Sequence, residues 1–255
     1  IEGNTYSLLE TEKLILENKK AEGRSENETQ MILNHKDAFD FIRQVRDRVD
    51  SWKDKNPLKS GLHRHFVFSM PAKTEGDLVP GKAVDHQSAL VSCLEKCRRY
   101  GSAPSKVSVA SPFFDPGGAN HHDEATNALC KGMGRGVTRY LSLCVPAIGK
   151  QDDYPLRLAA PISLFKTGRK HTDKVVLEVL PSADKDGNQR PWHAKMLRLE
   201  NKAYSALMIG SSNFTQAGQG LKDHCNVEAN LLFMALNDPY AREPRELAEC
   251  WPQTK

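Results

Sequence analysis

Residues 193–213 read HAKMLRLENKAYSALMIGSSN, and this stretch decides how the surrounding chain is expected to fold. The residues at 196–199 and at 203–209 are mostly apolar, and the Glu-Asn-Lys between them can form a tight turn. Two apolar runs separated by a short turn predict a β-hairpin. The second strand of a hairpin runs back beside the first, so GSSN at 210–213 should return to the point where the hairpin begins.

Polar side chains are expected to gather at the open end of this hairpin. His193 and Lys195 are two residues apart on one strand, so their side chains should leave the same face of the sheet. The returning strand brings four further residues beside them, which are Gly210, Ser211, Ser212 and Asn213. The sequence therefore predicts one site built from a His, a Lys, two Ser and an Asn.

These residue types can cleave a phosphodiester. An imidazole can attack phosphorus and form a covalent phosphohistidine, which gives His193 the role of nucleophile. Lys195 and Asn213 can hold the non-bridging oxygens as negative charge builds on them. Glycine and serine are small, so donors at 210–212 can approach the phosphate closely. Because fixed protein donors do this work, we expect no metal ion and no cofactor.

The HxK at 193–195 followed by GSxN at 210–213 resembles the signature of the phospholipase D superfamily. SPFFD at 111–115 is similar to the first core strand of such domains, and NVEANLLF at 226–233 to the strand that follows their GSxN turn. Together the resemblance covers about residues 85–235. A lone HxK would be unspecific, whereas this combination is not.

The resemblance implies a phosphodiesterase half-site in which Glu228 orients the ring of His193. The family's usual Asp after the HxK is here Glu200. Active sites of the family contain two such motifs, and this chain shows one, because NHKD at 34–37 and LHRHF at 62–66 lack the HxK spacing. A homodimer, or a second half elsewhere, would therefore have to complete the site.

Three functions remain open on this basis. The leading hypothesis is a nuclease-like phosphodiesterase acting on nucleic acid, with DNA favoured because the motifs resemble the phospholipase D-like modules of restriction and helicase systems. One alternative is a non-catalytic module that binds nucleic acid or acts as a scaffold. The other alternative is a lipid-cleaving phospholipase D.

The N-terminal 50 residues are expected to be helical. Ser7 to Glu10 and Ser25 to Glu28 each fit a capping box, the side-chain exchange that starts many helices. Residues 1–45 resemble the helical N-terminal region of Fic-domain proteins. The Fic catalytic signature is absent from the 255 residues, so adenylyl transfer is not expected.

The rest of the chain alternates between apolar runs and helical patterns. Runs of strand type are expected at 106–114, 137–145, 174–180 and 226–233, and helices at 89–97 and 123–133. This alternation predicts an α/β domain, a mixed β-sheet flanked by helices. We expect three parts: a helical segment at 1–50, an irregular linker at 51–84 and a phospholipase D-like domain at 85–255.

The composition is that of a globular protein and excludes few classes of function. Charged residues make up 27%, hydrophobic residues 39%, and the net charge is +4, which suits a phosphate-bearing substrate. No apolar run is long enough to span a membrane. The six cysteines show no CxxC pair, which predicts reduced thiols in a cytoplasmic protein. Basic residues at 166–171 and His121-His122-Asp123 are both expected to lie in loops.

Overall fold

The computed structural model describes eleven ranges: 6–17, 19–30, 32–33, 36, 61–71, 86–117, 123–148, 157–180, 193–222, 225–238 and 242–252. The chain divides into two compact units. The first comprises Ile1–Pro57 with Thr74–Lys82, and the second comprises Leu58–Lys73 with Ala83–Lys255. Within the described residues, no helix is both long and apolar enough to cross a membrane.

The first unit contains helix α1, Leu8–Glu17. Both predicted capping boxes are present. The backbone N–H of Ser7 donates to Oε2 of Glu10 at 2.7 Å, and the N–H of Glu10 donates back to Oγ of Ser7 at 3.3 Å. Ser25 and Glu28 make the same exchange, at 3.3 and 3.2 Å, where a second helical stretch begins.

This second helical stretch includes residues 26–30 and 32–33. Residues 1–5 and 37–60 lie outside the described part of the chain. The resemblance of residues 1–45 to Fic-domain proteins therefore remains a prediction.

The second unit is an α/β domain. Its strands are β1 Leu62–Ser69, β2 Lys106–Ala110, β3 Tyr140–Ile148, β4 Arg157–Leu158, β5 Lys174–Leu180, β6 Lys195–Glu200, β7 Tyr204–Gly210 and β8 Glu228–Leu236. Its helices are α2 Ala89–Arg98, α3 Glu124–Gly132, α4 Ile162–His171 and α5 Glu243–Glu249.

The strands form one sheet in the order β1-β8-β7-β6-β2-β3, with β5 also beside β3 and the short β4 pairing with the end of β3. Strands β2, β3 and β5 run parallel, whereas β1, β8, β7, β6 and β2 pair antiparallel with their neighbours. The predicted mixed sheet flanked by helices is confirmed.

Both faces of the sheet are covered, as the near-continuous apolar strands require. One face packs Val109, Leu197, Met208 and Leu232 into the larger core with α2, α3 and α4. The opposite face carries a smaller cluster: Ala110, Cys144, Leu180, Met196, Leu207 and Ala235, with Leu247 of α5. The side chains of neighbouring residues in β6 thus enter different cores, as strand geometry dictates.

The hairpin that dominates the sequence forms as predicted. Strands β6 and β7 pair antiparallel from Lys195 opposite Gly210 to Glu200 opposite Ser205. Oδ1 of Asn201 closes the turn by accepting from the N–H of Ala203 at 2.7 Å and of Tyr204 at 3.0 Å. An Asn whose side chain bonds its own backbone two residues on is a common way to fix such a turn.

Three segments differ from expectation. Residues 62–69, within the predicted linker at 51–84, form β1 and pair along their whole length with β8. The strand predicted at 106–114 ends at Ala110, because Pro112 has no N–H with which to continue the ladder. The basic stretch at 166–171 is the end of α4, where cations suit the helix dipole, and is not a loop.

Candidate active site

The predicted site residues lie at one end of the sheet, and those within its strands share one face. Lys195 pairs with Gly210 across β6 and β7, and Gly210 pairs with Asn230 across β7 and β8. Side chains directly opposite one another in antiparallel strands share a face. Glu228, two residues before Asn230 on β8, shares this face by alternation. His193 lies two residues before Lys195 at the same end, just outside β6, so the strand alternation expected to place both side chains on one face does not extend to it.

His193 is exposed and has an aromatic neighbour. Its ring meets that of Phe113 edge-on, with 6.1 Å between centroids. Phe113 is itself 40% exposed, which is unusual for a large apolar side chain. Nζ of Lys195 donates to the backbone carbonyl of His193 at 3.0 Å, so the lysine points back toward the start of the motif. An accessible imidazole and an ammonium therefore lie together at the sheet end.

The GSSN turn is fastened to β8 through both of its serines. Oδ1 of Asn230 accepts from the N–H of Ser212 at 3.2 Å, and Nδ2 of Asn230 donates to Oγ of Ser212 at 2.8 Å. Oγ of Ser211 accepts from the N–H of Ala229 at 3.0 Å. The serine side chains therefore position the turn. That they also bind phosphate remains a prediction.

Gly210 is required by close approach. A Cβ at this position would overlap the carbonyl oxygen of Ala229 and Oδ1 of Asn230. A side chain here would push β7 and β8 apart at the point where Asn230 holds the turn. The glycine of the motif thus has a steric reason that does not depend on any ligand.

Asn213 is half-buried at the end of the turn. Its backbone carbonyl accepts from Nε2 of Gln219 at 3.0 Å and from the N–H of Thr215 at 2.9 Å. Its side-chain Oδ1 is buried and has no hydrogen-bond partner. This oxygen can only accept a hydrogen bond, so holding a phosphate oxygen would fall to the side-chain Nδ2, and that role remains a prediction.

Glu228 is only 9% exposed. Its Oε1 accepts from Nδ2 of Asn226 at 3.1 Å, which gives Asn226 a role beyond that of a turn residue. Glu228 lies at the same sheet end as His193. Its predicted task of orienting the His193 ring remains a prediction.

Glu200 stands apart from the site. It ends β6, seven residues from His193, which corresponds to roughly 23 Å of extended strand. There Oε1 pairs with Arg198 at 2.6 Å and Oε2 with Lys106 at 3.4 Å. Glu200 therefore links β6 to β2 at the far end of the sheet.

The segment SPFFD forms one wall of the site. Oγ of Ser111 accepts from the N–H of Phe214 at 3.0 Å, and the rings of Phe114 and Phe214 meet edge-on at 6.4 Å. Oδ2 of Asp115 accepts from the N–H of Gln216 at 2.6 Å. Residues 111–115 thus run alongside the chain that follows GSSN.

Sequence reasoning missed Asn230, Gln219 and Phe113 as parts of this site. Asn230 had a signal, since it is a polar residue in an otherwise apolar strand. Gln219 is 2% exposed and lies between Gly218 and Gly220, a spacing typical of tight packing. Phe113 had none, because it falls within the strand predicted at 106–114, where a phenylalanine is expected to be buried.

The described residues contain no group of three His, Cys, Asp or Glu side chains placed to hold a metal ion.

No family model matches the sequence, and no match is found among curated proteins. Solved structures do match. Yeast tyrosyl-DNA phosphodiesterase is 15% identical with a TM-score of 0.38, over 77% of this chain and 53% of that one. Phosphatidylserine synthase from Haemophilus influenzae is 12% identical with a TM-score of 0.36, over 92% and 48%. Polyphosphate kinase from Porphyromonas gingivalis is 13% identical with a TM-score of 0.32, over 73% and 26%. The chain spans about half the length of the first two of these structures.

Proposed function

We propose that this chain carries one half-site of a metal-independent phosphodiesterase of the phospholipase D type. One observation carries the proposal: the pairing of Lys195 with Gly210 brings both ends of the HxK…GSxN motif to one place. The exposed ring of His193, the ammonium of Lys195 and the side-chain amide of Asn213 then lie at one sheet end. Together they offer a nucleophile and two groups that bind oxygen.

The chemistry follows from these three groups. A ring nitrogen of His193 attacks phosphorus, and the P–O bond to the leaving group breaks. Lys195 and Asn213 stabilise the charge on the non-bridging oxygens. Water then attacks the phosphohistidine, releasing the second product and restoring the imidazole. Glu228 keeps the ring in the tautomer whose free nitrogen faces the phosphate.

The leaving oxygen needs a proton during the first step, and His193 cannot supply it. In-line displacement places nucleophile and leaving group on opposite sides of phosphorus, so the general acid must face His193. A two-fold dimer supplies this acid from a second His193, since each subunit presents the same surface to the other. A second half-site elsewhere in the protein would serve equally well.

We propose nucleic acid as the substrate, with DNA favoured. Three features support this proposal. The net charge is +4, the motifs resemble the phospholipase D-like modules of restriction and helicase systems, and Phe113 offers an exposed ring beside His193. Exposed aromatic side chains commonly stack on the bases of single strands.

The test compares two substrates in excess EDTA: a labelled single-stranded DNA oligonucleotide and phosphatidylcholine vesicles. We expect cleavage of DNA only. Cleavage of vesicles only would identify a lipid-cleaving enzyme. An oligomer that binds DNA but does not cleave it would identify a scaffold or binding module. Loss of activity in EDTA with recovery in Mg²⁺ or Zn²⁺ would overturn the mechanism. Light scattering on the same sample reports whether the active species is a dimer.

A further inference from the structure

A small pocket lies beside the chain that follows the GSSN turn. It has a volume of about 150 Å³, and its lining includes Asp115, Gly117, Asp123, Ser163, Gln216 and Lys222. The bond from the N–H of Gln216 to Oδ2 of Asp115 joins the two loops that form its wall. Gln216 follows Asn213 by three residues, at most roughly 11 Å along the chain. Gln216, in the wall of the pocket, therefore lies within roughly 11 Å of Asn213, which the proposed function assigns to phosphate binding.

Asp123 lines this pocket and has a buried carboxylate. The residue is 3% exposed, and its Oδ1 caps α3 by accepting from the N–H of Thr126 at 2.8 Å. Its backbone N–H donates to Oγ1 of Thr167 at 3.0 Å, so the residue is fixed in place. Its second carboxylate oxygen, Oδ2, is buried without a hydrogen-bond partner. A buried polar atom left unpaired costs free energy that a donor from a ligand would recover.

The other lining groups define what kind of donor fits. Lys222 brings one positive charge to a lining that also holds the carboxylates of Asp115 and Asp123. Lys222 and the Ser163 hydroxyl can both donate, so a ligand that donates to Asp123 can accept from them. A cavity of about 150 Å³ can hold a single six-membered ring but not a nucleotide.

We propose that this pocket binds the polar edge of one nucleobase of the substrate, with an N–H of the base donating to Oδ2 of Asp123. Every base carries donors and acceptors side by side on its edges, and the lining matches that alternation. The proposal rests on the proposed function, because it places the base of a nucleotide whose phosphate lies at the GSSN turn. Asp123 would then be a specificity-determining residue.

Two variants remove the free acceptor without removing the helix cap. Asp123→Asn and Asp123→Ser both retain a side chain that caps helices well. The first presents an amide donor toward the pocket, and the second leaves no second oxygen. The matched control is Asp173→Asn, because Oδ2 of Asp173 also accepts from a backbone N–H, that of Arg139 at 2.7 Å, but is exposed and not part of the pocket lining.

Calorimetric binding of deoxyadenosine 5′-monophosphate and of base-free deoxyribose 5-phosphate tests the proposal. The wild-type protein should bind the nucleotide roughly tenfold more tightly than the base-free phosphate. Both Asp123 variants should lose that preference, Asp173→Asn should keep it, and all four proteins should bind deoxyribose 5-phosphate equally. A wild-type protein without the preference, or Asp123 variants that keep it, would overturn the proposal. Phosphocholine, a lipid headgroup, is measured in the same way. Asp123 variants that lose binding of phosphocholine but keep binding of the nucleotide would also overturn the proposal.

Hydrolysis of bis(p-nitrophenyl) phosphate, which carries no base, reports the proposed function separately. Turnover of this ester without any preference for the nucleotide overturns the pocket and leaves the phosphodiesterase standing. A preference for the nucleotide that depends on Asp123, without turnover, overturns the phosphodiesterase and leaves the pocket standing.

Discussion

The side-chain amide of Asn230 holds Ser212 by two atoms at once: its Oδ1 accepts from the Ser212 N–H at 3.2 Å, and its Nδ2 donates to the Ser212 hydroxyl at 2.8 Å. The same Nδ2 reaches the carbonyl of Val67 on β1 at 3.3 Å. One buried side chain thus connects three neighbouring segments at the end of the sheet. The GSSN turn is therefore held in place by contacts within the protein.

Asn230→Ala should weaken both folding and catalysis. The change strands buried polar groups on Ser212 and Val67, so the free energy of unfolding should fall by roughly 3 kcal/mol. The turn loses its anchor, and a displacement of about 1 Å at a catalytic site can lower kcat about 100-fold. Urea denaturation and steady-state kinetics measure the two effects.

The control for Asn230→Ala is Asn237→Ala. Asn237 also bridges strands, accepting from Ser205 and donating to the carbonyl of Asn201, but at the closed end of the hairpin. The Asn237→Ala protein should be less stable than wild type but should keep its kcat. Equal losses of kcat in the two variants would show that Asn230 contributes to general stability and not to the site.

Gly210→Ala should be poorly tolerated. The new Cβ would overlap the carbonyl of Ala229 and the amide of Asn230, so β7 and β8 would have to separate. Overpacking of this kind costs about 2–3 kcal/mol and should also lower kcat by displacing the turn. Gly136→Ala is the control. A Cβ at Gly136 would meet open space, so this substitution costs only the backbone strain of an alanine at a φ of 74°. A Gly210→Ala protein as stable and as active as wild type would contradict the close packing described here.

Much of this arrangement follows from the sequence because the hairpin is encoded locally. The turn residues, the apolar runs and the returning GSSN fix which residues meet, and the observed register agrees with that prediction. The role of β1 could not be predicted for two reasons. His-Arg-His at 63–65 interrupts the alternation of apolar and polar residues that indicates a strand, and β1 is stabilised by its pairing with the distant β8. The anchoring of Ser212 by Asn230 depends on the same long-range pairing of strands.

Lys195→Met should remove activity and leave the fold intact. Methionine keeps the aliphatic length of the side chain but cannot stabilise the negative charge on the phosphate, and loss of one such donor costs about 100- to 1,000-fold in kcat. The free energy of unfolding should change by less than about 1 kcal/mol. Lys202→Met, at the exposed turn of the same hairpin, is the matched control and should retain full activity. If both variants cleave DNA at the wild-type rate, Lys195 is not a phosphate ligand.

Asp123→Asn should stabilise the protein at neutral pH. Burial raises the pKa of the Asp123 carboxyl above its ordinary value of 3.8, so the folded wild-type protein holds this proton more tightly than the unfolded chain does. Its contribution to stability is therefore greatest at low pH and is lost as the pH rises from about 3.8 through the folded-state pKa. The variant carries no such charge, so its advantage should be largest at pH 7 and shrink toward pH 4. Denaturation curves at both pH values measure it, and an advantage that grows on acidification would contradict the assigned burial effect.

The measurement that tests the central claim most directly is trapping of the covalent intermediate. The protein is mixed with a DNA oligonucleotide carrying a ³²P-labelled scissile phosphate, quenched in alkali within milliseconds to seconds, and analysed by peptide mass spectrometry. The account predicts label on His193, none in His193→Ala, and no turnover by that variant although it remains folded. Label on another residue, or a His193→Ala protein that still cleaves DNA, would contradict the account.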